Sequence, residues 1–490
     1  MAEQQIIATG VPGLDDVLAG GLTDNRIYLV DGNPGAGKTT LALQFLMTGA
    51  ARGEPVLYVT LSETESELRS SAASHGWDLE GVTIREYIPT DASLRQDAEL
   101  TMFPASEVEL GETLSHILKD IDAIGPRRVV IDALSELRLL SETALRYRRQ
   151  LLALKRFFMN CRCAVLMLDD RSDADRDTHV ESIAHGVISL EHSLTAYGMD
   201  TRRLRVRKLR GRRFRAGLHD YVIQTGGLRV FPRLIAGEHS DSFERSALQS
   251  GVTELDDLLG GGPQWGTSTL LVGPAGSGKT TLAMQYVLAA ATQGRRVSVF
   301  MFDELQGLMV DRLKVIGLDL QPAIAAGTVS LRQIDPTELS PGEFAATVRA
   351  DVESGARMVV IDSLNGYLNA MPHSEFLTAQ LHELFAYLGI KGVITLVIVG
   401  QTGIVGASMP TPIDASYLVD SIVLFRFFEF AGQMRKALSV TKKRGGGHEN
   451  TIRELTIDSR GLLVGEALKG FQGVLSGTPR PVAPPGQPEP

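Results

Sequence analysis

Short apolar runs alternate with longer amphipathic stretches along most of the 490-residue chain. The runs at 27–30, 56–61, 127–132 and 163–168 are too short for helices and predict buried strands. Residues 41–50 are apolar at helical spacing and predict a helix after the first strand. The same succession returns in the second half, with strands at 268–272, 297–302, 357–362 and 394–399 and a helix at 282–291. Short apolar strands separated by helical stretches imply an α/β fold, in which a mostly parallel sheet is covered by helices on both faces.

The recurrence is a true internal repeat, because the polar positions recur as well. Residues 10–21 (GVPGLDDVLAGG) match 251–262 (GVTELDDLLGGG). Each copy closes on strand-like segments, at 202–206, 221–224 and 228–231 in the first, which predict an antiparallel extension of the sheet. The expected organisation is a first domain at 1–236, a polar linker at 237–250, a second domain at 251–470 and a proline-rich tail without structure at 471–490.

Charge and composition narrow the setting. The net charge of −9 argues against a protein whose main task is coating nucleic acid. Cys161 and Cys163 are the two cysteines, and no His/Cys cluster completes a metal site, so a reducing cytoplasm and no structural zinc are expected. No apolar run reaches the roughly 18 residues needed to span a bilayer, so no membrane partner is expected.

The candidate chemistry sits where each first strand meets its helix. Residues 32–40 (GNPGAGKTT) and 273–281 (GPAGSGKTT) both fit G-x-x-x-x-G-K-[ST], the phosphate-binding P-loop. Gly35, Gly37, Lys38, Thr39 and Thr40 are the first set of nucleotide-binding candidates; Gly276, Ser277, Gly278, Lys279, Thr280 and Thr281 are the second. Glycines let backbone N–H groups converge on an anion, and the helix that follows presents its positive end to it. Lys38 and Lys279 are placed to reach the β- and γ-phosphates, and Thr39 and Thr280 to hold Mg²⁺. Asp132 and Asp362 close apolar strands and are the matching Mg²⁺ candidates, although an aspartate there also caps the next helix. Glu63, Asp303 and Glu304 follow the second strand of each copy, where a carboxylate can polarise an attacking water or hydroxyl. Two basic turns, with Lys208 and Arg210 in one and Lys442 and Arg444 in the other, read as cations facing a neighbouring subunit's γ-phosphate; a solvated hairpin and a nucleic-acid patch are the alternatives.

Two RecA-like P-loop ATPase units in one chain, each entered by a G-[VI]-x-x-[LF]-D-[DE] segment, resemble the KaiC family over residues 6–457. The resemblance implies RecA-like domains assembled as a homohexamer of two stacked rings, with ATP and Mg²⁺ at subunit interfaces and regulatory protein partners. It also implies an ATPase in the first half and a serine/threonine autokinase in the second. The family's paired glutamates after the second strand are Ser62-Glu63 and Asp303-Glu304 here, and its adjacent phospho-acceptors fall on Ser416-Tyr417, with a further threonine on Thr411. A nucleic-acid-dependent ATPase and a nucleotide-assembled scaffold with little turnover remain the competing readings of the same core.

Overall fold

The structure is a computed structural model of the chain, describing residues 5–87, 105–141, 143–170, 178–194, 199–335, 337–369, 377–401, 416–475 and 480–481. The chain divides into two compact units, one closing at Arg233 and the other opening at Leu234.

The first unit opens on a short pair, β1 (Ile6–Ile7) and β2 (Leu22–Thr23). Its main sheet is built from β3 (Ile27–Gly32), β4 (Val56–Thr60), β5 (Val82–Glu86), β6 (Arg128–Asp132), β7 (Ala164–Asp170), β8 (Gly186–Ser193), β9 (Thr201–Leu209), β10 (His219–Gln224) and β11 (Gly227–Phe231). Their spatial order is β11-β10-β9-β8-β3-β7-β6-β4-β5. The strands from β8 to β5 run parallel, and β9, β10 and β11 extend the sheet antiparallel. Side chains alternate between two cores, as strand geometry requires. Tyr28, Val30, Val56 and Tyr58 face the helix Lys38–Ala50, while Ile27, Leu29, Leu57 and Val59 face the helices Ala105–Ile124 and Ala144–Cys161.

The second unit repeats the plan with β12 (Ser268–Gly273), β13 (Arg296–Met301), β14 (Val329–Gln333), β15 (Ala356–Asp362), β16 (Ile394–Gly400), β17 (Ser421–Phe430), β18 (Gln433–Lys443), β19 (Arg453–Asp458) and β20 (Gly461–Ala467). The order β14-β13-β15-β16-β12-β17-β18-β19-β20 is that of the first sheet. The helix Lys279–Thr292 covers one face, and Pro341–Glu353 with Leu377–Ile390 covers the other. The sequence pattern does not signal the parallel edge strands β5 and β14, whose exposed positions carry polar and charged residues. Both P-loop helices begin three residues before the predicted start, because Gly37 (φ 90°) and Gly278 (φ 107°) cap them directly before the lysine.

Residues 237–250, expected as a linker, are fastened to the second unit. Leu248 is buried and donates its N–H to Pro263 O at 2.9 Å. Phe243 fills the space beside Gly266 and Gly392, where an added Cβ would meet its ring at 2.4 and 2.6 Å. Asp241 pairs with Lys391 at 3.1 Å, and His239 packs edge-on against Tyr387. A polar average concealed one aromatic anchor. The tail is also structured in part, since β21 (Phe471–Gln472) pairs antiparallel with β22 (Arg480–Pro481), a terminal pairing in which proline is tolerated.

Arg128 has no exposed surface and pins the first unit. Its guanidinium donates to Glu54 Oε2 at 2.6 Å, to Ala8 O at 2.9 Å and to Phe45 O at 2.8 Å, and lies over the Phe45 ring. Met358 holds the matching place in the second repeat. Replacing Arg128 by Met is expected to destabilise the first unit by about 3 kcal/mol, because it strands a carboxylate and two carbonyls. Urea denaturation checks this, and a loss below about 1 kcal/mol would reduce the group to an ordinary surface pair.

Candidate functional site

Each P-loop is a close approach between a strand end, a helix start and a neighbouring strand. A Cβ on Gly32 would meet Leu190 O at 2.5 Å, and one on Gly273 would meet Phe425 O at 2.7 Å. Gly35, Gly37, Gly276 and Gly278 all have positive φ, so the loops turn in a left-handed sense that L side chains resist. The lysines fold back across the loops. Lys38 Nζ donates to Gly32 O at 2.9 Å and Asn33 O at 3.1 Å; Lys279 Nζ donates to Gly273 O at 2.8 Å and Pro274 O at 2.7 Å. Burial lowers the Lys279 pKa to about 8. Thr40, Ser277 and Thr281 are buried at the helix starts.

The strand-end aspartates lie beside the threonines of the loops. Thr280 Oγ1 donates to Asp362 Oδ2 at 2.8 Å, and Thr39 Oγ1 lies 3.4 Å from Asp132 Oδ2. Adjacent hydroxyl and carboxylate oxygens are the hard donors that suit Mg²⁺. Burial raises the Asp132 carboxyl above its usual range, against the pull of a 2.5 Å hydrogen bond from Tyr58 and the charge of Lys38. Asp362 is raised to about 6 by burial and by the charges of Asp303 and Glu304, with the Thr280 bond opposing.

The candidate bases differ between the units. In the first, Thr60 Oγ1 clasps the backbone of Glu63, donating to its carbonyl at 2.6 Å and accepting its N–H at 3.0 Å. Burial, then the charges of Asp132 and Glu67, raise the Glu63 carboxyl. Ser62 beside it is exposed. In the second, Asp303 Oδ2 accepts a 2.5 Å hydrogen bond from Ser363, the residue after Asp362. Glu304 is engaged elsewhere, by Arg312 at 2.8 and 3.2 Å. Asp303 is therefore the acid hydrogen-bonded to the residue beside Asp362, while the charges of both Asp303 and Glu304 reach Asp362.

The basic residues lie at the opposite end of each sheet. Lys208 is opposite Val187, which lies beside Leu29, the third of the six residues of β3, whereas the P-loop follows its end. Likewise Lys442 is opposite Ile422, beside Leu270, the third residue of β12. Three strand residues span roughly 10 Å. In each unit these cations therefore lie toward the strand starts, away from the P-loop end. Nor are the lysines turn residues, as the pattern implied, because β9 and β18 run through Lys208 and Lys442 and turn only at Arg210 and Arg444. All four grip the segment leading into the adjacent strand. Lys208 Nζ donates to Glu181 O at 2.5 Å and Arg210 to Ser182 O at 2.9 Å; Lys442 Nζ donates to Ser416 O at 2.5 Å and Arg444 to Tyr417 O at 3.1 Å. Ser416 is exposed on that edge. Thr411 lies outside the described residues.

Three site residues escaped the sequence reading. Tyr58 and Ser363 bond to the acids, and no pattern marks them. Asp170 pairs with Lys38 Nζ at 2.7 Å. It ends an apolar strand just as Asp132 does, and the same rule applied to β7 would have found it.

The family model "ATPase: KaiC" matches residues 7–235 and 248–469. The chain is 27% identical over 486 residues to the circadian clock oscillator protein KaiC of Parathermosynechococcus lividus, covering 96% of this chain and 87% of that protein. It is 28% identical over 484 residues to the circadian clock protein KaiC2 of Synechocystis sp., covering 96% and 83%. A third relative, the circadian clock oscillator protein KaiC of Synechococcus elongatus, is 26% identical over 498 residues, covering 98% and 93%.

The two shifted groups of the second site set a pH window. Asp362 is ionised above about 6, and Lys279 is protonated below about 8. In a Lys38→Ala chain, Mg²⁺–nucleotide binding is expected to be strongest between these values, falling on the acid side as Asp362 gains a proton and on the alkaline side as Lys279 loses one. Removing a neighbouring negative charge by Glu304→Gln should move the acid limb downward. Titration with a fluorescent nucleotide across pH checks this, and a flat profile from about pH 5 to 9 would contradict it.

Proposed function

The chain belongs to the KaiC family of ATPases, and from that premise we propose that it is an ATP-hydrolysing ring, a hexamer, whose second unit also phosphorylates its own kind at Ser416. One observation carries the ATPase part: lysine, threonine and strand-end aspartate converge in the same way at both P-loops. Lys38 and Lys279 exchange their loop carbonyls for the β- and γ-phosphates of ATP. Thr39 with Asp132, and Thr280 with Asp362, would hold Mg²⁺, which supplies charge neutralisation across the phosphates. Glu63 orients the attacking water in the first unit, and its raised pKa makes it a stronger proton acceptor once ionised.

The sheet supports a trans arrangement. Lys208, Arg210, Lys442, Arg444 and Ser416 lie toward the starts of β8 and β17, away from the P-loop end of their own unit, and in this reading the site they serve belongs to a neighbouring subunit. There the cations stabilise charge on the transferring phosphoryl group. Asp303 of one subunit accepts the proton of Ser416 from the next, and the Ser416 oxygen takes the γ-phosphoryl group as ADP leaves. Ring closure, timing or signalling output and regulatory protein partners belong to this reading. A second reading, in which nucleotide in the first unit chiefly holds the ring together, is favoured by Ser62, which stands exposed where the family has a carboxylate.

Lys38→Ala and Lys279→Ala are each expected to lower ADP release, and the double variant to lose at least about tenfold. If neither substitution lowers turnover, the enzyme reading is wrong. With labelled ATP and Mg²⁺, label should appear at Ser416. Neither Lys279→Ala nor Ser416→Ala chains alone should label, whereas a mixture should, because one supplies the acceptor and the other the site. Hydrolysis without any label would leave a plain ATPase.

A further inference from the structure

The two P-loop lysines differ in one neighbour. In parallel register, Gly32 of β3 lies beside Asp170 of β7, and Gly273 of β12 lies beside Gly400 of β16. The repeat therefore places a carboxylate next to the first lysine and a bare backbone next to the second. Asp170 Oδ1 is 2.7 Å from Lys38 Nζ, which also donates to the carbonyl of Gly32. The end of β7 is held in place by the preceding residue, because Asp169 is buried and takes two hydrogen bonds from Arg138 Nη2, at 2.7 and 2.6 Å. In the second unit Gly400 is held through its own backbone, accepting from Asn365 Nδ2 at 2.9 Å and donating to Asn365 Oδ1 at 2.7 Å. Among the described residues Lys279 forms no ion pair and keeps only its loop carbonyls.

We propose that Asp170 is a tethered competitor for the nucleotide phosphates, holding Lys38 when the first site is empty and so setting a lower nucleotide affinity there than at the second site. The inference rests on the reading of both loops as nucleotide sites. An incoming phosphate must displace the Asp170 carboxylate from the ammonium, and the displaced carboxylate stays close enough to repel it. Almost half of the Asp170 side chain is exposed, so water can receive it when it leaves. Glu63 and Asp132 are both raised in part by the charge of Asp170, which places it within the same anionic cluster. Among the described residues the second loop has no such competitor, and its lysine, which makes no ion pair there, is the more avid for phosphate.

The test uses the full chain carrying Lys279→Ala, so that only the first site reports, titrated with Mg²⁺–ATP. Adding Asp170→Asn is expected to tighten binding about three- to fivefold, as the loss of one half-exposed competing ion pair would. Asp170→Glu should restore the weaker binding. Conversely, Gly400→Asp in a Lys38→Ala chain should weaken the second site; a Cβ there meets Asn365 no closer than 3.6 Å, so the residue fits. Unchanged or weaker binding by Asp170→Asn overturns the proposal. So does a fall in kcat at unchanged affinity, which would assign Asp170 to the chemistry instead. If the Lys279→Ala chain binds no nucleotide, the nucleotide reading of the first unit fails and takes the proposal with it; if it binds and Asp170→Asn changes nothing, the proposal alone fails.

Discussion

Each unit is organised around one buried ammonium group that protein carbonyls satisfy only in part. Lys38 and Lys279 are tucked over their own loops; burial works against the positive charge of Lys279, and Lys38 is paired with Asp170. The surrounding fold keeps that tension in place. A parallel strand delivers the loop, positive-φ glycines tighten it, and a helix begins at the lysine with its unpaired N–H groups aimed at the same point. The threonine that follows is pinned to a strand-end aspartate from two strands away. Phosphate completes the arrangement.

The units diverge in the acids brought to that ammonium. The first surrounds it with Asp132, Glu63 and Asp170, and braces Asp132 with Tyr58. The second has Asp362 with Asp303 on Ser363, and leaves the place of Asp170 to a glycine clamped by an amide. Equivalent loops thus sit in different fields. The first pairs its lysine with a carboxylate; the second leaves its lysine to the loop carbonyls and hydrogen-bonds Asp303 to the residue beside Asp362.

Sheet direction imposes the remaining constraint. Because β3 and β12 run parallel to the strands beside them, β8 and β17, the P-loops follow the strand ends while the basic residues lie toward the strand starts. The same lysines and arginines that would complete a neighbour's site also hold the backbone of the candidate acceptor segment. A change in one is therefore felt by the other, through the carbonyls of Ser416 and Tyr417.

The sequence by itself determined the repeat, the parallel core and both P-loops. These are local properties, since burial on two faces forces short apolar runs and phosphate binding by backbone forces glycine at fixed spacing. Asp132 and Asp362 were legible for the same reason, as acids closing apolar strands. The edge strands β5 and β14 were not, because one exposed face dilutes the apolar signal. The polar stretch at 237–250 read as a linker, since one Phe243 resting on two glycines leaves no mark on composition. Only the tertiary structure separated Asp303 from Glu304, joined Asp170 to Lys38 and set the basic residues at the far end of the sheet. Each of those facts depends on which strand lies beside which, and strand order is fixed by packing between segments far apart in the chain.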